Sequence, residues 1–278
     1  MKRLLAGAAF IAIAAYGGAI AWLVANETAL IFENRHALGD LRPAKPYEEI
    51  DAPVEGAQQS RARAWLMPGT GAAPAAPWVI FLHGNSATIA SRMNIHHYER
   101  LRALGLNVMA PEYRGYGGLG GEPTEAGLAE DARNAYELLR RQKNVAPDRI
   151  VIYGWSLGSA VAVTLASQVD EGAVVLEGAP ASIVDIGSQR YPFFPIRWLI
   201  RNPFESIARI ARVGSPLLFL HSPEDGIIPI AEGRRLFDAA PPPKQFVEVA
   251  GGHIYASEKD PRFFTAVGAF LRAHRLLP

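Results

Sequence analysis

The chain has 278 residues, enough for one domain with a sizeable core, and its 28 basic and 27 acidic side chains leave a net charge of +1 at pH 7. That balance, without a Lys/Arg-rich block, provides no electrostatic footprint for nucleic acid. The sequence has no cysteine, which excludes disulfides, thiol catalysis and thiolate metal sites.

Lys2 and Arg3 precede an uncharged, mainly apolar run from Leu4 to Val24, and the next charge is Glu27. Some twenty such residues make a helix of about 30 Å, the thickness of a bilayer's hydrocarbon core. Trp22 stands where an interfacial aromatic belt forms. The run exceeds the ~7–15-residue core of a secretory signal, although Ala19-Ile20-Ala21 offers a small-residue cleavage site. Residues 1–26 therefore read as an uncleaved signal anchor, with the amino terminus cytoplasmic and residues 27–278 exported as the folded domain. Secretion after cleavage near Ala21 is the alternative, and Arg35, His36 and Arg42 beyond the span weaken the charge asymmetry.

Residues 27–54 read as a polar, Pro-containing approach, 64–67 as an early strand and 68–77 as a Gly/Ala/Pro-rich loop. Strand and helix then alternate: strand 79–82, helix 91–104, strand 107–110, helix 125–142, strand 150–153, helix 159–167, strand 173–176. This βα rhythm predicts an α/β fold with a mostly parallel sheet covered on both faces. Between Pro180 and Pro216 the rhythm breaks at an aromatic, proline-bent segment, 186–201. It is expected to be a short cap over the sheet edge (about 181–213) with an apolar inner face. A plain helix packed on the sheet, and aromatics reaching the bilayer, are the alternatives. Strands at 216–221 and 245–249 and a helix at 260–272 close the domain.

The chemistry concentrates at strand ends. Gly154-Trp155-Ser156-Leu157-Gly158 lies between an apolar strand and a small-residue helix, the strand–turn–helix context in which Gly-x-Ser-x-Gly presents a nucleophile. A serine hydroxyl needs a base, and the base an orienting acid, in the chain order Ser, Asp or Glu, His. Asp225 follows a buried strand within Ser222-Pro223-Glu224-Asp225-Gly226, and His253 follows another on the loop Ala250-Gly251-Gly252-His253. Ser156, Asp225 and His253 are thus the expected triad, all on loops at one sheet edge. Oxyanion donors are expected from the backbone N–H groups of Leu157 and of Asn85, just past His83-Gly84. His83 precedes the serine in the chain and reads as a loop-shaping residue bonded to backbone. His96 and His97, adjacent on a helix, face different ways and do not suit a shared metal.

Five segments carry a resemblance: Leu82-His83-Gly84-Asn85-Ser86, Pro111-Glu112-Tyr113-Arg114-Gly115-Tyr116-Gly117, the Ser156 pentapeptide, His221 to Pro229, and Gly251-Gly252-His253. With these the chain resembles the membrane-anchored serine hydrolases of the α/β-hydrolase fold, a group related to protein depalmitoylases. The resemblance implies the same triad and oxyanion donors, an architectural role for Arg114, and no metal or organic cofactor. It departs from the family at Ser222-Pro223, where glycine is common, and at Glu112, where aspartate is usual. The expected function is hydrolysis of a carboxylic ester or thioester, with a small-molecule or lipid-like acyl substrate favoured. A peptidase or amidase on the same triad and a catalytically silent, membrane-tethered binding protein are the alternatives.

Overall fold

The computed structural model describes residues 2–33, 36–53, 61–73 and 75–278; Arg35 and Val54, named above, fall outside that set. The apolar run forms one helix, α1 (Lys2–Ala25), followed at once by a short α2 (Glu27–Ile31). Phe10, Ile11 and Ile13 of α1 are exposed. Among the described residues, α1 holds the single stretch long and apolar enough to cross a membrane, Leu5–Ala25.

The segment expected as a plain approach contains, besides α2, a strand. This β1 (Glu48–Pro53) pairs antiparallel with β2 (Arg61–Met67), extending the predicted early strand in both number and partner. As an edge strand it needs no continuous apolar run, and Glu48-Glu49 gave no such signal.

From there the alternation is as the sequence implies. In order come β3 (Trp78–Leu82), α3 (Arg92–Ala103), β4 (Asn107–Pro111), α4 (Glu125–Arg141), β5 (Ile150–Trp155), α5 (Leu157–Ala166) and β6 (Ala173–Glu177). The rhythm break folds into two short helices, α6 (Ile183–Arg190) and α7 (Ile196–Leu199). Ser182 starts α6 by accepting from the Asp185 N–H. Then follow β7 (Leu217–His221), α8 (Ile230–Ala239), β8 (Lys244–Glu248), α9 (Gly252–Lys259) and α10 (Phe263–Ala273).

One eight-stranded sheet results, in the order β1-β2-β4-β3-β5-β6-β7-β8. β2 runs antiparallel to β4, and every pair beyond β4 is parallel. Side-chain direction alternates along a strand, and here both faces are buried. Ile80, Leu82, Ile152, Leu176 and Phe219 pack with α4 and α5 on one face. Val79, Phe81, Val151, Tyr153, Val175 and Leu220 pack with α3 and α10 on the other. Double burial explains why these strands read as unbroken apolar runs.

Two boundaries near the carboxyl end are corrected. The helix expected over 260–272 begins at Phe263, because Pro261 lacks an N–H and keeps Asp260 extended (φ −94°, ψ 111°). An additional helix, α9, occupies what was expected to be loop, so His253 lies in a first helical turn. Gly251 (φ 110°) and Gly252 (φ 71°) take positive dihedrals that start this helix abruptly.

Candidate active site

The chain leaves β3 toward β4 on one side and β5 on the other, so the sheet's switch point lies between the carboxyl ends of β3 and β5. Open α/β sheets form their sites there. Ser156 sits at that point, between β5 and α5, with φ 56° and ψ −122°. A side-chain-bearing residue is strained in this region, and only its surroundings hold it. A Cβ on Gly158 would stand 2.0 Å from the Leu82 carbonyl oxygen, and one on Gly154 2.4 Å from the Gly158 oxygen. The glycines therefore let the start of α5 press against β3 and lift the serine clear. Below, Ser159 Oγ donates to the carbonyls of Gly154 (2.7 Å) and Glu177 (3.0 Å), and the Ser156 N–H donates to Glu177 O at 2.8 Å.

The three residues expected to act together are brought together. His253 Nε2 lies 2.8 Å from Ser156 Oγ, and His253 Nδ1 lies 2.6 Å from Asp225 Oδ2. Burial alone would raise the Asp225 pKa, but hydrogen bonds from His221, His253 and the Ile228 N–H hold it well below the usual carboxylate range. An ionised carboxylate only accepts. The proton between Asp225 and His253 therefore belongs to Nδ1, Nε2 is left as an acceptor, and the Ser156 hydroxyl donates to it.

Asp225 is itself fixed in place: Oδ1 accepts from the N–H groups of Ile227 (2.9 Å) and Ile228 (2.8 Å). His221 Nε2 donates to Ile228 O at 2.9 Å and lies 3.4 Å from Asp225 Oδ2. Ser222, one of the departures from the family pattern, accepts through Oγ from the N–H groups of Glu224 and Gly252. It thus ties the loop of Asp225 to the helix of His253. Gly178 (φ 54°) leaves room for the imidazole, since a Cβ there would meet His253 Cε1 at 3.1 Å.

Asn85 lines the same cavity as Ser156 and Leu157. Its Oδ1 accepts from the Glu33 N–H (2.7 Å) and the Tyr116 hydroxyl (3.0 Å), so the segments that follow α2 and β4 pin the loop after β3. His83 is buried; Nδ1 donates to Gly84 O at 2.8 Å, and Nε2 faces Glu112 Oε1 at 2.8 Å. The backbone contact matches the sequence reading, whereas the carboxylate partner was missed. Glu112 also accepts from the Ile89 N–H at 3.1 Å, which makes it the brace of this loop. Arg114 forms a forked pair with Asp131 and a further bond to Glu130 at the far end of the same turn.

Beneath the elbow a buried cluster escaped the sequence reading. His97 Nε2 lies 2.9 Å from Glu177 Oε2, which also accepts from Tyr153 OH at 2.7 Å. The His97 ring stacks on Trp155 with centroids 5.1 Å apart, while His96 faces Ser257 O. The apolar walls of the cavity, about 450 Å³, come from α6 and α7 (Ile183, Ile186, Ile196, Leu199) and also from Leu23, Leu30 and Ile31 of α1 and α2. The reading of residues 27–54 as a plain approach to the domain did not anticipate the part of α2 in these walls.

Residues 79–274 match the Alpha/beta hydrolase family. An uncharacterized protein of Mycobacterium tuberculosis is 41% identical over 204 residues, 73% of this chain and 72% of that protein. Lysophosphatidylserine lipase ABHD12 of Rattus norvegicus is 29% identical over 188 residues, 61% of this chain and 47% of that protein. An esterase of Pyrococcus furiosus has the same fold, with a TM-score of 0.73 at 19% identity, covering 87% of this chain and 97% of its own. With an eight-stranded sheet of this order, a serine at the switch point and the match running across both, the chain belongs to the alpha/beta hydrolase family.

Proposed function

We propose that this protein is a membrane-anchored serine hydrolase that cleaves carboxylic esters, with thioesters open to the same chemistry, and that its substrate carries an apolar acyl chain. The observation that carries the proposal is the linear relay Ser156–His253–Asp225, with spacings of 2.8 and 2.6 Å, whose serine lines a mainly apolar cavity. The lipase among the relatives and the esterase among the similar folds support ester hydrolysis.

In the proposed reaction Ser156 Oγ attacks the acyl carbonyl as its proton passes to His253 Nε2. Asp225 holds the Nδ1 proton and stabilises the imidazolium. The N–H groups of Leu157 and Asn85 bind the oxyanion, and the imidazolium then protonates the leaving alcohol. Water, deprotonated by His253, attacks the acyl-enzyme; collapse of the second oxyanion releases the acid and returns the proton to Ser156. Residues 1–26 form the anchor, with the amino terminus cytoplasmic. Residues 27–278 form the exported catalytic domain, in which about 181–213 serve as a cap.

The test uses detergent-solubilised protein, a fluorophosphonate serine probe and p-nitrophenyl esters. Wild type is expected to label and turn over. Ser156→Ala is expected to lose labelling and to lower kcat by at least about 10⁴-fold. Absence of labelling in folded wild type would overturn the reading.

A further inference from the structure

The cavity above Ser156 is completed by the helix that anchors the protein. α1 is not a tether set apart from the catalytic domain. Leu23 packs in one cluster with Val184 and Ile196 of the cap, joined by Tyr191, Phe194 and Ile200. Higher on α1, the Tyr16 hydroxyl donates to Phe193 O at 2.8 Å, and its ring stacks on Phe194 with centroids 5.4 Å apart and planes 8° from parallel. The cap thus climbs the side of the anchor.

This contact fixes a depth. Tyr16 precedes Ala25 by nine residues, so at 1.5 Å per residue it stands ~14 Å up the helix, close to half of a ~30 Å hydrocarbon core. If α1 spans a bilayer over Leu5–Ala25, the segment packed against Tyr16 lies within a leaflet. The side chains there suit lipid: Phe193 is 84% exposed and Trp198 89% exposed. In water these two would be the costliest apolar groups on the cap. The cap's Arg197 is ion-paired with Asp185 and Glu205, which neutralises it at the rim.

We propose that the cavity is loaded from the bilayer. The cap tip at Phe193 and Trp198 sits in the leaflet, α1 and α2 form the cavity's outer wall, and the acyl chain of a membrane-resident ester slides between wall and cap to reach Ser156. A volume of about 450 Å³ is that of a site for one small ligand, here a single acyl chain. This proposal rests on the ester-hydrolase reading for its substrate, and on the geometry of α1 and the cap for its route.

The experiment uses the full chain in lipid nanodiscs. Because the sequence has no native cysteine, Phe193→Cys and, as an in-membrane reference, Ile13→Cys each take one environment-sensitive fluorophore. Lipids brominated along the acyl chain are expected to quench both. No quenching at position 193 beyond that in unbrominated lipid would overturn the leaflet placement. In parallel, Ala29→Trp and Ile186→Trp narrow the cavity from the anchor side and from the cap side. Each is expected to lower the ratio of kcat/KM for a long-chain ester over an acetyl ester by about tenfold or more, the effect of losing contact with roughly two methylenes. An unchanged ratio in both would overturn the acyl route. Failure of wild type to react with the fluorophosphonate probe would instead overturn the ester chemistry, and the quenching would still report where the cap lies.

Discussion

Asp225 is held by two backbone N–H groups and two imidazoles, a denser set of donors than orienting one histidine requires. Its charge is therefore secure, and in the proposed mechanism it keeps the Nδ1 proton in place. Asp225→Asn is expected to retain the fold yet lose about 10⁴-fold in kcat, because the amide favours the wrong imidazole tautomer. Since the folded carboxyl titrates below the ordinary aspartate value of about 3.9, it contributes stability above that pH and loses it as pH falls further. The variant should accordingly show a shallower loss of stability in acid, measured by thermal melts from pH 5 to pH 2.5. Glu171 has the opposite sign. Burial pushes its pKa up to about 7 against the opposing hydrogen bond from Ser215, so its contribution is present below about pH 4.3 and lost as pH rises through 7. Glu171→Gln should gain on wild type in stability by about 2–3 kcal/mol between pH 5 and pH 8. No gain over that range would contradict this. The meeting of Ser156, Asp225 and His253 at one sheet edge was legible because each sits in a short pattern with its own backbone logic. His221, Glu177 and His97 were not, since a buried partner is chosen by three-dimensional neighbours and leaves no local spacing to read.

Among the elements, the elbow shows how a helix start is dictated by contact. The atoms that a Cβ on Gly158 would strike, the carbonyl group of Leu82 and the carbonyl oxygen of His83, are backbone at and just past the end of β3. Neither can retreat, because β3 is paired on both sides. Gly158→Ala is expected to cost about 3 kcal/mol or more, read by chemical denaturation, with loss of probe labelling as the serine is displaced. Strands buried on two faces announced themselves as apolar runs, and long amphipathic α4 was found within a residue of its ends. α8 went unread because Gly233 in its middle resembles a breaker. The helix keeps that glycine since a Cβ would stand 2.2 Å from His221 Nδ1. A position that looks weak by propensity is thus where the helix meets the residue behind Asp225. The same logic explains β1, whose edge position asks for no apolar pattern.

At the scale of the molecule, a buried carboxylate at the start of α2 reinforces the apolar contacts between α1 and the rest of the fold. Glu27 accepts from the N–H groups of Arg201 (2.7 Å) and Asn202 (2.9 Å), and from the side chains of both (2.7 and 3.1 Å). Burial would raise its pKa, yet these bonds lower it, so the joint holds above about pH 4.3 and loosens as pH falls below that. Glu27→Ala leaves two backbone donors unpaired and is expected to cost about 2–3 kcal/mol. A lower Tm in detergent and faster proteolysis around Asn26 would report it, and an unchanged Tm would show that the joint is held by the apolar cluster alone. With Glu27 locked, the catalytic domain stands on a pedestal. On the bilayer-loading proposal it has no leash with which to sweep the surrounding water or to reach a facing membrane, and its substrates are molecules sharing its own bilayer. Its relevant substrate concentration is then a mole fraction in two dimensions. Diluting that surface with inert phospholipid should slow it even when the amount of substrate per volume stays the same.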